Sequence, residues 1–306
     1  VQTCALPICG GDGIKRATVN IAGKEYSIDE TYLQLEGITL TDTDIANIGS
    51  LVNLKTLICE NCVITKTDIS EMINHNLSKL SFAGCGLSKE QMNSVSFDGT
   101  AIGILDLSGN EVSADTLSTL SDSLYSLKIS NTGLKIEDIN SLRNIVSLYA
   151  DNNNIEDISA LGELLRLTNL SLNGNPLKKL APIGDLPRLE ELSINDCSLT
   201  SLEGLEACIK LKKLHAGHNK LNSIDGMANM TILEYVYLSD NELTDVSILT
   251  KSRATIKKLY LADNKISDAT VISTMDKLEV LNIDNNSVDG LDLKECTGIK
   301  ILSADN

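Results

Sequence analysis

The sequence predicts an α/β solenoid, a stack of short parallel strands joined by short helical turns. Three observations predict it. An apolar pattern recurs about every 22 residues, a polar or small residue anchors the pattern in one register through eleven copies, and the segments between copies carry helix-start signals but are too short for long helices. The 306 residues are 42% hydrophobic, enough for a substantial core. Length alone would suggest two domains, but an internal period takes precedence over length.

The pattern is L-x-x-L-x-x-L-x-L-x-x-N-x-L. Its N-like position falls at Cys62, Cys85, Asn110, Thr132, Asn153, Asn175, Cys197, Asn219, Asn241, Asn264 and Asn286. Five residues before each stands an apolar residue, from Leu57 and Leu80 to Leu259 and Leu281, and three before stands another, from Cys59 and Phe82 to Leu261 and Ile283. Each copy supplies one short strand whose alternate residues point inward. One unit cannot bury its apolar face alone, so stability comes from stacking on neighbours. The ladder asparagine offers donors and an acceptor to backbone groups where the strand turns away.

This pattern resembles the leucine-rich repeat, whose ladder position tolerates Asn or Cys. The resemblance covers residues 33–306. It implies a right-handed solenoid with a parallel concave β-sheet and short 3₁₀ or α turns on the convex side. The stretch "VNIAGKEYSIDETYLQLEGITLTDTDIANIGSLVNLKTL" resembles the entry region of leucine-rich repeat proteins of gut Firmicutes, and more broadly the internalin-type repeats of bacterial surface proteins.

The repeat accounts for a Cys-x-x-Cys spacing that otherwise suggests a redox dithiol or half a zinc site. Cys59 takes the inward apolar position and Cys62 the ladder position of one copy. A zinc site needs four converging ligands, and only Cys85 and His75 are near in sequence. A Cys62–Cys85 disulfide stays open at this point, since neighbouring strands lie about 4.8 Å apart. Cys208 and Cys296 fall on apolar positions between strands and read as core.

Residues 1–8, Val-Gln-Thr-Cys-Ala-Leu-Pro-Ile, resemble a translated sequencing adapter, with the codon of Cys9 in phase. Residues 1–16 are therefore assigned to adapter and linker remnant, which removes Cys4 from the cysteine count. Residues 17–40 read as an N-terminal cap and a degenerate first repeat: Val19 and Ile21, then Tyr26 and Ile28, alternate around an Ala-Gly-Lys turn, and Ile38 takes the ladder place. Repeats follow over 41–306. The last, "IKILSADN", stops one residue short of its ladder position, so the array is expected to be cut at its C-terminal end.

Between strands, variants of x-D-I-x-x-L place Asp or Ser before a short apolar-periodic piece, a helix-start signal. Most of these segments predict single 3₁₀ turns, and 65–76, 88–97 and 113–124 are expected to be more helical. "TDTD" and "DNNNIED" hint at calcium, but the glycine and the twelfth-position glutamate of an EF-hand fall wrong. No metal ligand set or cofactor is assigned.

Composition narrows the partners. A net charge of −16 without a basic stripe disfavours nucleic acid and anionic membrane surfaces. No run of eighteen apolar residues provides a membrane span. His75, His215 and His218 lack triad context, no phosphate loop is present, and no enzyme activity is expected of residues 1–306. The outward positions of the strands lie six, four and two residues before the ladder. They carry Tyr149, His215, Tyr235, Tyr237 and Tyr260, with Lys213, His218 and Lys258 at the rim. Exposed aromatics flanked by polar groups are what protein interfaces use, although tyrosine also suits strands for its own sake. The expected function is a protein-binding module, expected as a monomer, of a bacterial surface or secreted leucine-rich repeat protein, with adhesion as a role the internalin resemblance implies. Two alternatives stay open: a cytoplasmic regulatory scaffold that binds a partner such as a phosphatase, and the targeting arm of an enzyme whose catalytic domain lies outside this sequence.

Overall fold

The computed structural model describes residues 8–9 and 15–305. The adapter-like residues 1–7, with Cys4, and the Gly-Gly-Asp-Gly stretch lie outside the described residues. Two compact units, residues 1–134 and 135–306, are each built on the same repeat.

In the first unit, Thr18–Ile21 and Lys24–Ser27 form an antiparallel hairpin. Its turn needs two left-handed residues, Ala22 and Gly23 at φ +51° and +82°, the backbone of a tight hairpin turn. The hairpin is tied to the helix Asp42–Gly49: Asp44 Oδ1 accepts the Ala22 amide at 2.7 Å and Asn47 Nδ2 donates to the Asn20 carbonyl at 2.7 Å. The strands Tyr32–Glu36, Thr56–Glu60, Lys79–Ser81, Ile104–Asp106 and Ser126–Lys128 then pair in parallel and in sequence order. Their register aligns Leu57, Leu80, Leu105 and Leu127, all fully buried.

In the second unit eight strands continue the pattern: Ser147–Tyr149, Asn169–Ser171, Glu191–Ser193, Lys213–His215, Tyr235–Tyr237, Lys258–Tyr260, Val280–Asn282 and Ile301–Ser303. All pair in parallel with their sequence neighbours. Leu148, Leu170, Leu192, Leu214, Val236, Leu259 and Leu281 form the buried row, while Leu302 in the same register is half exposed. Together these features make each unit an α/β leucine-rich-repeat solenoid.

Seven connectors sort by which amide the capping side chain reaches. Thr41, Ser88 and Ser113 accept from the amide three residues on, at Asp44, Gln91 and Thr116, and each opens an α-helix: Asp42–Gly49, Lys89–Asn93 and Ala114–Leu117. Asp68, Asp157, Asp245 and Asp268 instead accept from the amide two residues on, at Ser70, Ser159, Ser247 and Thr270. That shorter loop precedes 3₁₀ turns. It also corrects one expectation. Segment 65–76 is not among the more helical ones; Asp68 reduces it to the single 3₁₀ turn Ser70–Met72. The "TDTD" carboxylate of Asp44 is likewise occupied, bonded to Ala22, to the Thr41 amide and to the Thr41 hydroxyl.

The ladder is made of side-chain bonds between consecutive repeats. Asn175, fully buried, donates through Nδ2 to the carbonyls of Ala150, Leu172 and Asn173, and accepts through Oδ1 from the amides of Asn153 and Ile155. Asn219 repeats this scheme on Ile194, Ala216, Gly217, Cys197 and Leu199. Asn110, Asn241, Asn264 and Asn286 each reach three carbonyls and one amide. Thr132 donates to Ile129 O, and Asn153 is buried at the same place. Cysteine supplies only the donor half: Cys197 Sγ reaches the Leu172 and Asn195 carbonyls, Cys62 reaches Glu60 O and Cys85 reaches Cys59 O.

The residue before every ladder position is left-handed. Asn61, Gly84, Gly109, Asn131, Asn152, Gly174, Asp196, His218, Asp240, Asp263 and Asn285 all have φ between +52° and +74°. Only Gly, Asn, Asp and His fill these places, the types that tolerate this region. His218 therefore has a backbone reason to be where it is.

Candidate functional site: the outward row of the second unit

Parallel pairing in strict register puts equivalent outward side chains one strand step apart, about 4.8 Å. The middle outward row of the second unit runs Tyr149, Ser171, Ser193, His215, Tyr237, Tyr260, Asn282, Ser303. Between three of these residues the strand step becomes a ring stack. His215 lies on Tyr237 with centroids 4.1 Å apart and planes 8° apart, and Tyr237 lies on Tyr260 at 4.6 Å and 9°. Tyr237 has a ring on each face, His215 and Tyr260 have one each, and all three are half-buried rather than fully exposed.

Two residues earlier on the same strands, Tyr235 sits between two lysines. Lys213 Nζ is 5.7 Å and Lys258 Nζ 5.5 Å from its ring centroid, within cation–π range. Lys213 also pairs with Glu191 Oε2 at 3.1 Å, a bond that holds the lysine above its ordinary pKa. Of the eight residues singled out, the structure brings together Lys213, His215, Tyr235, Tyr237, Lys258 and Tyr260. Tyr149 stands three strands from His215, with Ser171 and Ser193 between. His218 is exposed and places Nδ1 3.0 Å from Asp240 Oδ2.

Burial holds the His215 imidazole below its ordinary pKa, with Glu191 opposing and Lys213 adding to the shift. Burial pushes the Tyr237 phenol up. The sign for His215 follows from linkage. The folded state favours the neutral ring, so its contribution is fully present above the unfolded value near 6.5 and declines as pH falls below that through the lowered folded value. The parent is expected to lose melting temperature as pH falls from about 7 to 5.5, and His215→Tyr, which keeps a ring in the stack, to remove that drop. Identical melting-temperature profiles for parent and variant over that interval would count against this account.

Among the described residues, Cys59, Cys62, Cys85, Cys197, Cys208 and Cys296 are free thiols. Cys59 and Cys62 are buried, and Cys85 is only partly so. Burial drives Cys59 well above the usual thiol range, and Cys85, Cys197 and Cys208 to about 11. Thiols so shifted stay protonated and donate to carbonyls. Cys208 and Cys296 are core residues. Among the described residues no group of three or more His, Cys, Asp or Glu is placed to hold a metal ion, and no helix is long and apolar enough to cross a membrane.

The model of the leucine-rich repeat family, in two copies, matches residues 165–207. No curated protein matches the chain. Solved structures do. An internalin (inlF) from Listeria monocytogenes superposes with a TM-score of 0.75 at 21% identity, over 93% of this chain and 90% of that one. The functional domain of InlJ from Listeria monocytogenes, which includes a cysteine ladder, gives 0.66 at 24% identity, over 90% of this chain and 58% of that one. The plant peptide hormone receptor RGFR1 in complex with RGF2 gives 0.66 at 19%, over 97% and 51%. With the ladder, the strand register and these likenesses in hand, residues 165–207 match the leucine-rich repeat family and the chain has the leucine-rich-repeat fold, similar to that of the internalins.

Proposed function

We propose that this protein is a non-catalytic interaction module that holds a protein partner against the outward sheet face of residues 135–306, as part of a bacterial surface or secreted protein with a role in adhesion. The observation that carries the reading is the stack of His215, Tyr237 and Tyr260 beside the Lys213–Tyr235–Lys258 cluster. Half-buried aromatic rings already fixed in place lose little conformational freedom on binding, and they present phenol and imidazole edges to a partner. The fold supports the reading: a solenoid offers one long face for recognition, and a plant receptor of similar fold was solved with a bound partner. The surface and adhesion parts rest on the likeness to internalins.

The test is a capture experiment with the partner bound by the parent protein. The double variant Tyr237→Ala, Tyr260→Ala is expected to weaken that affinity at least roughly tenfold with its circular-dichroism spectrum retained, the scale of a two-residue hot spot. Glu137→Ala, on the connector side, is expected to bind as the parent does. Equal affinity for parent and double variant would refute the assignment of this face.

A further inference from the structure

The outward row contains a gap as well as a ridge. From Tyr149 to His215 is three strand steps, roughly 14 Å, and the two intervening places hold serines. Both serines are tied down. Ser171 Oγ donates to Asp151 Oδ1 at 2.6 Å and accepts from Asn173 Nδ2 at 3.0 Å. Ser193 Oγ donates to Asn173 Oδ1 at 2.8 Å and accepts from Asn195 Nδ2 at 3.2 Å. Asn173 and Asn195 are held in turn, because their Oδ1 atoms accept the amides of Asn195 and Gly217. The floor is a flat polar mesh, and the row has no tall side chain between its two rings.

One wall of the gap is an unused ring face. Tyr237 covers one face of His215, so the other looks across Ser193. One edge is an underused carboxylate. Glu191 takes its two hydrogen bonds, from Asn169 Nδ2 at 3.2 Å and Lys213 Nζ at 3.1 Å, on Oε2, and Oε1 receives none.

We propose that this slot, floored by Ser171 and Ser193 and bounded by His215 and Glu191, takes the guanidinium of an arginine side chain on the partner. The inference rests on the reading of this face as a protein-binding surface. A planar guanidinium lies flat on the imidazole at the spacing the stack already uses, and turns an N–H edge to Glu191 Oε1. A lysine ammonium lacks the plane. An incoming carboxylate meets Glu191 and Asp151. A neutral aromatic ring continues the stack but leaves Glu191 Oε1 unpaired. Lys213, the nearby cation, is already matched by Glu191 at 3.1 Å. The net charge of −16 draws basic partners from a distance.

The full chain has three histidines, so ring-labelled histidine gives a short NMR spectrum in which His215 is assigned by its loss in His215→Tyr. The probes are N-acetyl-arginine amide, N-acetyl-lysine amide and N-acetyl-tyrosine amide. Saturable movement of the His215 ring signals by the arginine probe is expected, with the lysine and tyrosine probes at least tenfold weaker. Ser193→Tyr, which fills the slot with a residue the row accepts at 237 and 260, is expected to abolish the effect. Glu191→Gln is expected to weaken it severalfold with His215 still stacked. Arginine no better than lysine or tyrosine, or arginine binding intact in both variants, would overturn the slot. This titration needs no partner. A blank result beside a partner whose capture depends on Tyr237 and Tyr260 overturns the slot and leaves the interaction face standing; a positive result beside a partner insensitive to those tyrosines does the reverse.

Discussion

Asn175→Ala is expected to destabilise the protein by about 3 kcal/mol or more. The estimate follows from counting stranded groups. Asn175 is fully buried, and its loss removes the acceptor of the Asn153 and Ile155 amides and the donor to the Ala150 carbonyl. Each buried group left without a partner costs about 1–3 kcal/mol. The other two carbonyls keep a bond: Asn173 O from the Asn152 amide and Leu172 O from Cys197 Sγ. Asn175→Cys isolates the donor half. A thiol there is expected to reach Ala150 O and Asn173 O as Cys197 reaches Leu172 O and Asn195 O, and to cost clearly less than alanine. Denaturant unfolding followed by circular dichroism measures both. An alanine variant within about 1 kcal/mol of the parent would mean that the ladder bonds are not what holds the repeats in register.

Phe82→Ala is expected to cost about 3–5 kcal/mol, the usual range for removing a buried aromatic ring. Phe82 is fully buried at the inward place that Leu107 and Leu172 fill in other repeats. The register that pairs Ile58 with Ser81 carries on to Cys59 and Phe82, so a small inward residue stands beside the largest of that row. Phe82→Leu is therefore expected to lose less than half as much as alanine, because leucine is what the repeat accepts there. An alanine variant as stable as the leucine one, by the same unfolding measurement, would show that neighbouring side chains collapse into the space.

The apolar rows were readable in the sequence because burial imposes them at fixed spacing: Leu57 and Leu80 recur as Leu259 and Leu281 for the same reason. The ladder was readable wherever asparagine fills it, and the Cys-x-x-Cys of Cys59 and Cys62 resolved into an inward and a ladder place. The left-handed position just before the ladder was equally present in the sequence as an unbroken series of Asn, Gly, Asp and His, from Asn61 to Asn285. It was not read because its signal is backbone tolerance and not polarity. Connector type was harder. Asp68 and Ser88 look alike as helix starters, and they differ in whether the side chain reaches two residues ahead or three, a geometric outcome. At the site, the order of the row told which tyrosines are neighbours. It did not tell that stacking would cover their faces, or that tied-down serines would leave His215 with one face bare.

The column Glu190, Lys212, Glu234, Lys257, Glu279, Lys300 alternates in sign from one repeat to the next. Each lysine reaches back to the glutamate before it, at 2.8, 2.7 and 2.9 Å. Each pair lies at the surface, partly or fully exposed, and is individually weak. The alternation nevertheless gives this part of the array a hidden period of two repeats inside its apparent period of one. Excising the single repeat that carries Glu234 brings Lys212 against Lys257, whereas excising that repeat together with the next brings Lys212 against Glu279 and keeps every neighbour opposite in sign. Growth or shrinkage of the gene by recombination is thus electrostatically smooth in steps of two repeats and frustrated in steps of one.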